Sequence, residues 1–133
     1  MIAYHGSTAF DVIKKFKKSK TGALGPGIYF TTDKKSAERY ATEYLEGKLY
    51  KAELDVKNPF HVHNLSDPAA EILSPALRKR REAENSNYCH WIKTSDLNKL
   101  QKAGYDAIIM KDEIMVFNPN QIKVLSVNTV KAK

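Results

Sequence analysis

Gly25-Pro26-Gly27-Ile28-Tyr29-Phe30-Thr31-Thr32, continuing through Tyr40 and Ala41, is the passage on which the reading of this chain turns. It reads as a tight glycine turn, a short strand of aromatic and β-branched residues, and a helix opening near Asp33. Gly25 and Gly27 let the backbone turn sharply or approach a ligand with no Cβ in the way. Tyr29 falls on the strand and Tyr40 about two turns into the helix. Two phenol rings converging from such elements can hold a flat, electron-poor ring between them. An ordinary strand-to-helix connection gives the same local pattern, so the rest of the chain decides.

The 133 residues suit one domain spanning 1–133 with a core of useful size. At 42% hydrophobic and 28% charged, the composition is that of a soluble globular protein rather than a disordered or membrane-spanning one. No apolar run is long enough to cross a bilayer, and Met1-Ile2-Ala3-Tyr4 meets His5-Gly6 too soon for a signal peptide. A single cysteine, Cys89, cannot form an internal disulfide, so a cytoplasmic setting is expected. With 22 Lys and Arg against 15 Asp and Glu, the net charge of +7 favours anionic partners such as nucleic acid, acidic proteins or a dinucleotide pyrophosphate. The same charge also serves plain solubility.

Along the chain, Met1 to Tyr4 forms a short strand that stops at His5-Gly6-Ser7-Thr8. From Ala9 to Lys18, Phe10, Ile13 and Phe16 recur three apart with lysines between them, which predicts an amphipathic helix. Its lysines are a solvated face or an anion-binding patch. A helix from about Asp33 to Leu45 follows, with Gly47 as a left-handed cap. Leu49 to Val56 alternates as a half-buried strand with Tyr50, Ala52, Leu54 and Val56 inward, ended by Asn58-Pro59. Short helices are expected from Asp67-Pro68 and from Pro75 into Arg78-Lys79-Arg80-Arg81, the densest basic cluster. Another starts at Ser95-Asp96, runs through Leu97, Leu100 and Ala103, and ends at Gly104. The remainder is strand: Tyr105 to Met110, Glu113 to Phe117, a turn at Asn118-Pro119, then Gln121 to Val127. Mixed elements with antiparallel strands gathered at the end make the class α+β. His61 and His63 share a strand face without a third ligand, and Cys89-His90-Trp91 lacks the paired spacing of a zinc site, so no metal is expected.

Three motifs then stand in order: Tyr4-His5-Gly6-Ser7, Gly25-Pro26-Gly27-Ile28-Tyr29-Phe30, and Asp112-Glu113-Ile114-Met115-Val116-Phe117 followed by Gln121. This set resembles the ADP-ribosyltransferase fold, in the His-Tyr-Glu branch that includes diphtheria toxin and the poly(ADP-ribose) polymerases. The resemblance implies a split β-sandwich of two sheets around a cleft for NAD, flanked by helices. It implies that His5 binds a ribose hydroxyl, that the Gly6 backbone binds the nicotinamide carboxamide, and that Tyr29 and Tyr40 stack on the nicotinamide. Ser7, Gly27, Phe30 and Ser36 fall in the same implied NAD site, with Glu113, His5 and Tyr29 as its catalytic set. Glu113 would hold the 2′-hydroxyl of the nicotinamide ribose and stabilise the oxocarbenium-like charge that builds as the glycosidic bond breaks.

Two departures shape the expected activity. Ala37 stands where the polymerases carry a carboxamide-binding serine, with Ser36 beside it, and Pro26 stands where they carry a lysine. A small mono-ADP-ribosyltransferase of the bacterial or phage kind, using NAD as substrate, is therefore expected rather than a polymer-forming enzyme. An NAD glycohydrolase with the same site, or a non-catalytic module of the same fold, remains an alternative. The acceptor, whether protein side chain, nucleic acid or small molecule, is left open. Protein arginine is disfavoured, because Lys111 occupies the place of the second glutamate that arginine-modifying relatives use.

Overall fold

In the computed structural model, which describes residues 1–9, 12–13, 15–17, 27–61 and 94–132, alternation along the chain sets the sheet. Tyr50, Ala52 and Leu54 are buried while Lys51 and Glu53 are exposed, as the sequence pattern requires of a strand with one covered face. The elements are β1 (Ile2–Ser7), β2 (Ile28–Thr31), α1 (Lys34–Ala41), β3 (Glu46–Leu54), β4 (Pro59–His61), α2 (Thr94–Lys102), β5 (Ala107–Met110), β6 (Glu113–Val116), a 3₁₀ turn (Pro119–Gln121) and β7 (Ile122–Lys131). The class is α+β. Gly25-Pro26, His63, the expected helices from Asp67 and Pro75, the Arg78-Lys79-Arg80-Arg81 run and Cys89-His90-Trp91 lie outside the described residues. Among the described residues no helix is long and apolar enough to cross a membrane.

Among the described residues the strands form one seven-stranded sheet in the order β4-β5-β6-β2-β1-β3-β7. β4 and β5 run parallel and every other junction is antiparallel. The two separate sheets expected from the resemblance are instead joined into this single order. The joint is thin: β1 and β2 share one register pair, Tyr4↔Thr31, whereas β1 and β3 share six and β2 and β6 share four. Each face has its own core. Phe60, Leu97, Leu100, Ile108, Met115 and Phe117 pack together under α2, with Tyr29 against them. Ala3, Phe30, Tyr50, Ala52, Leu54, Ile114 and Val116 form the other core, into which Phe16 and Ile13 insert.

Several boundaries differ from the sequence reading; β3 itself runs from Glu46 to Leu54 rather than from Leu49 to Val56. β1 does not stop at His5 but runs to Ser7, because Leu49 and Lys48 of β3 pair with Gly6 and Ser7. The described residues from Ala9 to Lys17 carry no helix. There Phe16 is 8% exposed, and the Ile13 N–H donates to the buried Tyr50 hydroxyl at 2.7 Å, so tertiary partners replace the amphipathic face. α1 starts behind an Asp33 cap as expected, with Asp33 accepting from the Lys35 N–H at 3.1 Å. It ends at Ala41, where the Thr42 hydroxyl donates back to the Glu38 carbonyl at 2.8 Å. Leu45, at φ 84, makes the left-handed turn assigned to Gly47. β7 extends to Lys131, beyond the expected Val127.

Gly47 therefore has another job. It lies in β3, where a Cβ would overlap the Ala41 and Ser7 carbonyl oxygens, so its lack of a side chain lets α1 sit directly on the sheet. Were it a left-handed cap, asparagine would be tolerated there. We expect Gly47→Asn to destabilise the protein by about 1–3 kcal/mol, the usual range for forced overpacking, as read from urea unfolding midpoints. An unchanged midpoint would return Gly47 to the capping role.

Candidate functional site

Past Tyr4 and Thr31, β1 and β2 share no further register pair, and a cleft of about 750 Å³ opens between them. Every residue named from the sequence lines it: His5, Gly6 and Ser7 from β1, Gly27 before β2, Tyr29 and Phe30 from β2, Ser36 and Tyr40 from α1, and Glu113 from β6. Register explains part of this gathering. Tyr4 pairs with Thr31, and Thr31 with Glu113, so one row of residues crosses the seam at its closed end. Tyr29 pairs with Met115, two residues along from each member of that row, which puts Tyr29 and Glu113 on the same face as diagonal neighbours.

The α1 wall needs small residues beneath it. A Cβ on Gly6 would strike the Ala37 carbonyl oxygen, and Ala37 and Ala41 are the buried residues of the helix. This contact turns Ser36 and Tyr40 to the cleft, with Tyr40 60% exposed and so open to a stacking partner. Ser36 is already engaged. Its hydroxyl donates to Asp33 at 2.7 Å and accepts from the Arg39 guanidinium at 3.1 Å. Toward a ligand it therefore offers a remaining lone pair rather than a proton. That hydrogen bond, first among several causes, holds the Asp33 carboxyl below the usual carboxylate range. Phe30 is 3% exposed and serves as wall rather than open surface.

His5 is the best-defined group. Its ring packs against Phe16, Phe30 and Tyr50, with centroids at 5.2, 5.6 and 6.0 Å. Nδ1 lies 2.8 Å from the Tyr29 carbonyl oxygen across the seam. A carbonyl only accepts, so Nδ1 carries the proton and Nε2 of the neutral ring keeps its lone pair. Burial among these rings lowers the His5 pKa, opposed in part by the Tyr29 hydrogen bond. The group is therefore neutral at pH 7, an acceptor from a ligand hydroxyl.

Around Glu113, the β5–β6 hairpin turns on Lys111 at φ 53 and Asp112. Asp112 is tied to β2, accepting from the Thr32 hydroxyl at 3.3 Å and the Thr32 N–H at 2.9 Å. Both Lys111 and Asp112 line the cleft beside Glu113. Lys17, which the sequence offered only as one of a run of lysines forming a solvated face or an anion-binding patch and not as a site residue, also lines it. Nothing local distinguishes Lys17 from its neighbouring lysines: Lys15 flanks the buried Phe16 just as closely, and only the fold puts Lys17 rather than Lys15 on the cleft wall. Among the described residues no group of three or more His, Cys, Asp or Glu is placed to hold a metal ion.

A sequence model of the family described as "ADP-Ribosyltransferase in polyvalent proteins" matches residues 1–132. No curated protein matches the chain in sequence. A solved structure described as "Crystal structure of an anti-CRISPR protein" is similar in fold, with a TM-score of 0.52 at 17% identity, covering 98% of this chain and 95% of the other.

The lowered His5 pKa has a stability consequence. Because the unfolded chain takes up the proton near its ordinary pKa of 6.5 and the folded one resists it, stability rises with pH through this region. As pH falls below 6.5 stability should drop until the folded-state pKa of His5 is reached, whereas Asp33, whose carboxyl is lowered from 3.8, contributes stability that is lost only below that value. Thermal unfolding between about pH 7.5 and 5 should show this slope in the wild type and a shallower one in His5→Gln. Identical slopes would mean that His5 is not the titrating group.

Proposed function

The chain belongs to the ADP-ribosyltransferase family found in polyvalent proteins, and on that premise we propose that it cleaves NAD at the nicotinamide–ribose bond and transfers ADP-ribose to an acceptor. The proposal places it in the His-Tyr-Glu branch as a mono-ADP-ribosyltransferase. The observation that carries it is the single cleft lined by His5, Tyr29, Tyr40 and Glu113 from four different elements. Composition alone gives no reason for those four to meet.

The chemistry assigns each group a task. Nε2 of His5 accepts from a ribose hydroxyl, and the Gly6 backbone engages the carboxamide. Tyr29 from the strand and Tyr40 from the helix hold the nicotinamide between their faces. When the C1′–N bond breaks, its electron pair goes to the ring nitrogen and neutralises the pyridinium, while C1′ becomes oxocarbenium-like. The Glu113 carboxylate, beside the 2′-hydroxyl, stabilises that charge and takes up the proton the acceptor loses on attack. Lys111 beside Glu113 disfavours a cationic acceptor such as arginine. Water in the acceptor's place would make the same site a glycohydrolase.

A second reading rests on the anti-CRISPR protein of similar fold: the domain acts by binding a target, without transfer. Loss of the Glu113 carboxylate separates the two. We expect Glu113→Gln to lower nicotinamide release and transfer of labelled ADP-ribose by about a hundredfold or more, with NAD affinity little changed, because the charge acts mainly in the transition state. Asp112→Asn should cost little by comparison. No nicotinamide release from wild type, with or without cell lysate as acceptor source, would sink the enzymatic reading.

The stacking pair has its own test. Tyr29→Ala and Tyr40→Ala should each weaken NAD binding by about 1 kcal/mol or more, the worth of an aromatic pair beyond its area. Tyr40→Phe should bind as wild type does, since only the ring face is used. Equal weakening by Phe and Ala at Tyr40 would assign its hydroxyl, not its ring, to the ligand.

A further inference from the structure

Resting on that reading, we propose that Lys17 is the residue that holds the pyrophosphate of the dinucleotide. The segment before it is fixed in place at two points. Phe16 inserts among His5, Phe30 and Tyr50, with centroids at 5.2, 5.4 and 5.5 Å, and the Ile13 N–H is held by the Tyr50 hydroxyl at 2.7 Å. Lys17 follows directly and lines the cleft. Its ammonium makes no ion pair or hydrogen bond with any described residue. A lysine placed on a cleft wall by a buried neighbour, with no carboxylate partner among the described residues, is suited to an anion from outside.

Position selects which anion. In a dinucleotide the pyrophosphate lies between the two riboses. Glu113 sits at the closed end of the seam, in the Tyr4–Thr31 row, and is assigned to the nicotinamide ribose. His5 is one residue further along β1 and is assigned to a ribose hydroxyl. A cation serving the phosphates must then stand beside His5 and away from Glu113. Lys17, next to the Phe16 ring that packs on His5, meets this condition. Lys111, the other cleft lysine, belongs to the turn that leads into Glu113 and does not.

Isothermal titration of NAD, ADP-ribose and nicotinamide into the wild type, Lys17→Ala, Lys17→Arg and the control Lys15→Ala tests the assignment. Lys15 is exposed and does not line the cleft. Lys17→Ala should weaken NAD and ADP-ribose about tenfold or more, the loss expected of a charge-assisted hydrogen bond, while nicotinamide, which has no phosphate, is unaffected. Lys17→Arg should retain most of the affinity, and the salt dependence of NAD binding should fall in Lys17→Ala alone. Unchanged NAD and ADP-ribose binding in Lys17→Ala, or equal loss in Lys15→Ala, would overturn the role of Lys17 and leave the NAD reading standing. Equal loss of nicotinamide would show a general effect on the cleft and overturn it likewise. A wild type that binds neither NAD nor ADP-ribose would overturn both.

Discussion

One register pair, Tyr4↔Thr31, is the constraint on which the rest of this molecule depends. Had β1 and β2 paired along their length, a continuous ladder would fill the space now open as the cleft. Had they not paired at all, the β4-β5-β6-β2 half of the sheet would lose its register against β1-β3-β7, and Glu113 its fixed relation to His5. A single pair keeps the halves in register and lets them part. One residue further along β1, a side chain takes over from the ladder: the His5 Nδ1–H reaches the Tyr29 carbonyl at 2.8 Å. That bond satisfies a backbone acceptor at the seam and at the same time fixes the tautomer of the ring.

The second requirement is close approach. α1 rests on β1 and β3 through Gly6, Gly47, Ala37 and Ala41, backbone against backbone. A helix of only eight residues has little stability of its own, so it depends on this contact and on the Asp33 cap. The same contact fixes the distance from Tyr40 to the strands. Stability and site geometry are thus set by the same small residues, and any side chain added at Gly6 must move the cleft wall as well as the helix.

What could be read from the sequence was what adjacent residues decide. The alternation at Tyr50, Ala52 and Leu54, the helix ending at Gly104 with φ 97, and the order of the His5, Tyr29 and Glu113 motifs were all legible, and with them the α+β class. What partners across the fold decide was not. Phe16 and Ile13 at helical spacing suit an irregular segment equally well once Tyr50 offers a hydroxyl to the backbone. The polar, glycine-containing His5-Gly6-Ser7 looks like a strand end until β3 supplies a partner for each residue. Gly47 could cap a helix or pass beneath one, and only the position of the Ala41 carbonyl distinguishes the two. The joining of the sheet halves through a single pair leaves no local trace.

Charge along the cleft ties these features to the proposed chemistry. The three rings around His5 keep it neutral, so the middle of the cleft carries no imidazolium to neutralise the carboxylates at its closed end. Asp112 is turned into hydrogen bonds with Thr32, which leaves Glu113 as the carboxylate on the Tyr29 face. In the proposed arrangement the cation beside His5 is Lys17, which lines the same cleft. A dinucleotide lying along the seam has its fixed negative charge at the phosphates and develops positive charge at C1′ as nicotinamide departs. Lysine beside the first and carboxylate beside the second is the arrangement that lowers the energy of the transition state more than that of the bound substrate, since only the C1′ charge grows during the reaction.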